Sequence, residues 1–99
     1  MNAISIKRLR NLTTGLLHTK MSDIYTDIEA FTGMDGIMTH QLPSAVAALQ
    51  PHLRRVYRDQ PVWDGEFKPD VSGEVPLYPI SVKDISDYLS LFDKMSRQF

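Results

Sequence analysis

Three histidines, His18, His40 and His52, are the side chains best suited to hold a metal, because neutral imidazole is a common ligand. Their spacing argues against it. His18 falls in a connector, and His40 and His52 stand far apart with proline between them, so the i,i+4 pair of a helical metal site is missing. Thr39 and His40 are expected to cap and pack, with Gln41 adding hydrogen bonds at a helix end. Asp23 and Asp27 lie one helical turn apart and project from one face, with Glu29 to the side. Such a pair can bind a divalent ion or act as general acid and base, but either role needs further ligands or a concave site. Exposed helix charge is the plainer expectation.

The basic residues offer a different chemistry. Lys7, Arg8 and Arg10 join Arg54, Arg55 and Arg58 in one patch if the first and third helices are neighbours, and six phosphate contacts would give strongly salt-dependent nucleic-acid binding. Against this stand a net charge of −1 and the lack of a recognisable turn between a recognition helix and its support. Trp63 and Phe67, with Tyr57 and Tyr78, suit a partner anchor or a pocket, although the core is the default place for the first two. Met34 and Met38 around Asp35-Gly36 suit an adaptable loop or core filling. There is no Gly-x-Ser-x-Gly elbow, phosphate-cradling Gly-rich loop or cysteine nucleophile. No enzyme activity, catalytic residue, cofactor or metal is expected.

Charge is segregated along the chain that must position these groups. Residues 1–20 carry Lys7, Arg8, Arg10 and Lys20 with no acid, whereas residues 21–36 carry Asp23, Asp27, Glu29 and Asp35 with no base. A near-zero total favours internal pairing of most of these ions. The 99 residues suffice for one domain, 1–99, with a small core that must hold itself, since cysteine is absent. Apolar runs fall far short of the roughly 20 residues that span a bilayer. The expectation is a soluble, unprocessed, cytoplasmic protein.

The fold class expected is mainly α: a compact four-helix domain, its helical part at 5–58, with a short β-hairpin or irregular arm at 59–80 and a C-terminal helix at 82–96. Ser5 can cap a first helix that stops at Gly15, and its basic first turn opposes the helix dipole, so an anionic neighbour is expected. Ser22 is read as the cap of a second helix burying Ile24, Ile28 and Phe31 and ending at Gly33. Thr39 is read as the cap of a third, with Pro43 in its first turn. Leu42, Val46, Leu49, Leu53 and Val56 then keep one face apolar, while Pro51 should kink or divide the helix. Around Asp64-Gly65 a tight hairpin is possible. Ser81 and Asp84 suggest the start of the last helix, with Ile85, Leu89 and Phe92 buried and Val82 and Tyr88 at the edge. Ile24, Leu42, Val46, Leu49, Leu53 and Ile85 are expected to share one interior.

The order LTTGLL, MSDIYTDI, FTG and THQLP, spread over residues 12–43, resembles a family of small phage and prophage proteins classed as a domain of unknown function. The likeness covers roughly residues 4–53 and fades towards Trp63. It implies an accessory protein of a bacterial virus acting in the bacterial cytoplasm, and it implies no activity. The expected function is stoichiometric binding and inhibition of a host defence or regulatory complex, protein or ribonucleoprotein, in the manner of an anti-CRISPR protein. Lys7, Arg8, Arg10, Asp23, Asp27, Arg54, Arg55, Arg58, Trp63 and Phe67 are the expected partner-binding residues. The alternative is a nucleic-acid-binding accessory or regulator using the Lys and Arg patch. No membrane partner is expected, and a homodimer stays open.

Overall fold

The computed structural model describes residues 3–66 and 71–97. Strand β1 (Ala3–Ser5) runs directly into helix α1 (Ile6–Thr14), where the Ser5 hydroxyl accepts from the Arg8 amide at 3.0 Å and caps the first turn. Gly15, at φ 73°, takes the left-handed conformation that ends α1, and Gly33, at φ 76°, ends α2 (Met21–Thr32) in the same way. Helix α3 (Leu42–Val56) follows a 3-10 turn at Thr39–Gln41. Strand β2 (Glu74–Pro76) and helix α4 (Ile85–Ser96) complete the order. The molecule is mainly helical, with four helices and one small sheet among the described residues.

Several local expectations are corrected. Helix α2 begins at Met21, so Ser22 lies inside its first turn; Lys20 is at the N-cap and supplies no side-chain cap. Gln41 holds the N-cap position of α3 without a side-chain cap bond, its Oε1 instead accepting from the Met38 amide at 2.9 Å across the 3-10 turn, while the Thr39 hydroxyl meets that of Tyr25 at 3.2 Å. Pro51 does not divide α3, which runs unbroken from Leu42 to Val56 with the proline on its exposed side. Having no N–H, Pro51 cannot donate one backbone hydrogen bond of the helix.

Small residues decide which face of α3 is innermost. Ser44, Ala45, Ala48, Leu49, His52 and Leu53 are buried, whereas Leu42, Val46 and Val56 flank the core half-covered. The six side chains expected to converge therefore split: Ile24, Leu49 and Leu53 are central, and Leu42, Val46 and Ile85 pack around them. Helix α4 lies against the alanine side of α3. Ser81 makes the expected contacts with Asp84, but the helix begins one turn later than expected, at Ile85. Tyr88 is its buried residue and Leu89 is 43 % exposed, the reverse of the sequence reading. The Tyr88 hydroxyl reaches the Ala45 carbonyl at 3.2 Å, which is possible because alanine lets the two helices approach.

No hairpin forms around Asp64-Gly65 among the described residues. The sheet instead pairs β1 with β2, antiparallel, with Ile4 opposite Val75. Tyr57, at the end of α3, anchors the returning chain: its hydroxyl donates to the Pro76 carbonyl at 2.7 Å and accepts from the Tyr78 amide at 2.9 Å. Phe31 meets Tyr57 and His52 edge-on, each at 6.1 Å between ring centroids, and its carbonyl accepts from the Ile80 amide. One aromatic cluster thus ties α2, α3 and the segment before α4 together.

Candidate functional site

The anionic neighbour demanded by the basic start of α1 is Asp27. Arg8 grips it with two nitrogens, Nη2 at 2.5 Å and Nε at 3.1 Å, and Asp23 stands 4.0 Å from Nε. The Asp27 side chain is wholly buried, and burial pushes its carboxyl above the usual carboxylate range despite the guanidinium. In return, the hydrogen bonds that Arg8 donates to the Asp27 carboxylate raise the pKa of the guanidinium. Asp23 moves the other way: its desolvation is outweighed by the Thr19 hydroxyl, Arg8 and the Lys20 end of the helix. These three charges clasp α1 to α2, and Arg8 and Asp27 face each other rather than a partner.

Arg10 is also withdrawn from the surface. It is 2 % exposed, and its Nη2 donates to the backbone carbonyls of Asp64 and Glu66. The six-cation patch is therefore not assembled. Lys7 is half-buried, while Arg54, Arg55 and Arg58 are exposed along the end of α3. Arg54 lies over the Trp63 ring, 5.9 Å from its centroid, and Arg58 stands 4.0 Å from Asp59. Trp63 is half-buried with its indole N–H donated to the Tyr57 carbonyl at 3.1 Å. Phe67 lies outside the described residues.

The histidines take structural places. His18 is buried, its amide held by Asn11 Oδ1 at 2.6 Å and its ring 3.1 Å from the Thr14 hydroxyl; burial, then Arg10, lower its pKa. His52 Nε2 lies 2.6 Å from the Tyr78 carbonyl, and burial holds this imidazole below its ordinary value. His40 is exposed. Among the described residues no three His, Asp or Glu side chains gather closely enough to hold a metal.

An apolar groove is the feature that sequence reasoning missed. It has a volume of about 600 Å³ and lies between the end of α1 at Thr13 and Thr14, the start of α2 at Met21 and Ile24, and the flank of α3 that carries Leu42 and Val46. Two side-chain amides hold its walls. Gln50 Nε2 donates to the Leu12 carbonyl at 2.6 Å, and Asn11 wraps the connector through the amides of His18 and Thr19. Among the described residues no acid lines the groove. Lys20 and His40 adjoin its wall residues in sequence, and the positive ends of α2 and α3 abut it. Leu17 and Met21 on its walls are about half exposed, and Leu16 and Met38 are exposed without lining it. The available signal was Leu16-Leu17 following a helix-ending glycine, where solvent-facing connectors are ordinarily polar.

No helix among the described residues is long and apolar enough to cross a membrane. Residues 5–63 match the sequence model of a family described as a domain of unknown function (DUF7736), and the chain belongs to that family. The matched stretch holds α1, α2, α3 and every wall of the groove. No curated protein and no solved structure matches the chain.

Proposed function

We propose that this member of the family is a phage-encoded accessory protein that binds and inhibits a bacterial host defence or regulatory complex, acting by occupancy rather than turnover in the host cytoplasm. An anti-CRISPR protein is the sharpest form of this reading. Its origin rests on the resemblance of the LTTGLL to THQLP stretch to small phage proteins. Its mode of action rests on one observation: a groove walled by apolar side chains, with Leu17 and Met21 half exposed, lies within the family-matched residues. Monomeric proteins rarely expose connected apolar surface without a use for it, and methionine adapts well to a partner's contour. An open apolar groove between helices, with Leu17 and Met21 half exposed on its walls, suits a polypeptide occupant. Because basic residues and helix N-termini border the groove and no acid among the described residues lines it, that polypeptide is an amphipathic helix of the host complex with acidic flanks. Arg54, Arg55 and Arg58 supply steering from the end of α3. The nucleic-acid alternative retains only these three exposed arginines of its six cations.

The test uses two substitutions on exposed groove residues. Met21→Glu places an acid in the first turn of α2, where it favours the helix, and Leu17→Asp changes a connector residue that is 51 % exposed. The tagged wild-type chain should retain one host complex from bacterial lysate, and both variants should lose it while unfolding at the wild-type urea concentration. Titration should silence the purified complex at about one chain per target, as occupancy requires. Undiminished retention by both variants, or inhibition at a small fraction of the target concentration, overturns the proposal.

A further inference from the structure

Arg54 and Arg55 are neighbours in sequence and both exposed in the last turn of α3, yet they stand on different sides of it. Arg55 joins His52, Asp84 and Asp87 in lining a gap between α3 and the start of α4. Arg54 follows Gln50 by four residues and Ala47 by seven, the spacings that keep helical side chains on one face. Gln50 and Ala47 are walls of the apolar groove, so Arg54 continues the line of those walls towards the end of the helix. Arg58 lies beyond that end, 4.0 Å from Asp59.

The α3 wall of the groove runs from Leu42 to Gln50, about 12 Å along the axis, and Arg54 comes about 6 Å further on. A helix lying along this wall therefore meets Arg54 one turn after its last apolar contact. The Arg54 guanidinium lies over the half-buried Trp63 ring, 5.9 Å from the centroid, and the indole is itself held by the Tyr57 carbonyl. Stacking on an aromatic face restrains a guanidinium while its edge keeps the N–H groups that donate to a carboxylate. Among the described residues Arg54 enters no ion pair, so its charge is unmatched within the described fold.

We infer that Arg54 determines specificity for the occupant of the groove: the bound helix carries a carboxylate one turn from its apolar stripe, and that carboxylate accepts from Arg54 beside Trp63. The inference rests on the proposed groove binding and deepens it. It assigns an acidic flank of the partner to one residue, whereas Arg55, of equal charge but turned aside, contributes only to steering.

Two synthetic helices of ~18 residues are the probes, each with leucines at i, i+4 and i+7 and a glutamate one turn before or one turn after them. Each has a twin with glutamine in place of the glutamate, and fluorescence anisotropy of the labelled peptides reads their affinity for the full chain. At least one glutamate peptide should bind the wild-type chain about tenfold more tightly than its twin. Arg54→Glu and Arg54→Gln should erase that preference, Arg55→Glu should keep it, and Met21→Glu should weaken glutamate peptide and twin alike. Arg54→Glu and Arg55→Glu make the same charge change in the same helical turn, so a general loss of positive charge would move both equally. Equal affinity of both glutamate peptides and their twins, with Met21→Glu still weakening all of them, overturns the role of Arg54 and leaves the groove reading standing. An equal loss of preference in Arg54→Glu and Arg55→Glu also overturns it. Tight binding of a ~20-base-pair DNA at ~0.1 M salt, weakened equally by both glutamate variants, would assign these arginines to phosphates and overturn it too. No binding of any peptide up to ~1 mM, or binding indifferent to Met21→Glu, overturns the groove reading and this inference together.

Discussion

The two helix pairs of this domain are held by opposite means. Helices α1 and α2 are joined by ions and amides, with Arg8 gripping Asp27 and Asn11 bonding the connector at His18 and Thr19. Helices α3 and α4 touch most extensively, through Ala45, Ala48 and Tyr88, and the hydrogen bond between them among the described residues is that of the Tyr88 hydroxyl, while His52, Arg55 and Asp87 line a gap beside the contact. Directional bonds fix how two elements are oriented, whereas apolar contact tolerates sliding. The directional pair carries two walls of the groove and lies within the family-matched residues; α4 lies beyond them. The difference teaches that orientation is controlled most closely where the candidate surface is built.

The largest expected effect strikes the ionic pair. Arg8→Met leaves the Asp27 carboxyl buried without its partner, and should cost about 3–5 kcal/mol in urea unfolding. Adding Asp27→Leu should restore most of that loss. A cost within the range of an ordinary surface substitution would erase the contrast between the two pairs. In the α3–α4 contact, Tyr88→Phe removes the buried hydroxyl that donates to the Ala45 carbonyl and should cost about 1 kcal/mol. A loss as large as that of Arg8→Met would show that both pairs depend on polar anchors.

The smallest effect concerns pH. His52 is held neutral by burial, with Arg55 acting in the same direction and the Tyr78 carbonyl and Asp84 opposing. Its folded pKa lies below its unfolded one, so between the two values the unfolded chain binds more protons and stability falls as pH falls. The melting temperature should therefore drop between about pH 7 and 5. His52→Gln, which can still donate to Tyr78, should flatten part of that slope. The buried His18 accounts for a remainder of the same sign. An unchanged slope in His52→Gln would assign the whole pH response to the α1–α2 side.

Much of this architecture was legible because its signals are local. Ser5, Gly15 and Gly33 stop or start helices through their own hydroxyl or backbone freedom, and the basic opening of α1 announced the acid that Asp27 supplies. What escaped depends on distant neighbours. Three-residue strands carry no periodicity, and nothing near Ile4 reveals that its partner is Val75. Arg10 reads as a surface cation until the carbonyls of Asp64 and Glu66 fold over it. The groove escaped because it is made from the ends of three helices, where hydrophobic patterning along any one of them is silent.

Pairing of β1 with β2 also orders events in time. A ribosome adds roughly 5–20 residues each second, so Ala3–Ser5 leaves the exit port several seconds before Glu74–Pro76 exists to receive it. Until then α1 can dock on its helical neighbours, but Ile4 lacks its cover. The nascent chain therefore carries a sticky, unfinished edge over the whole interval that separates the two strands in synthesis.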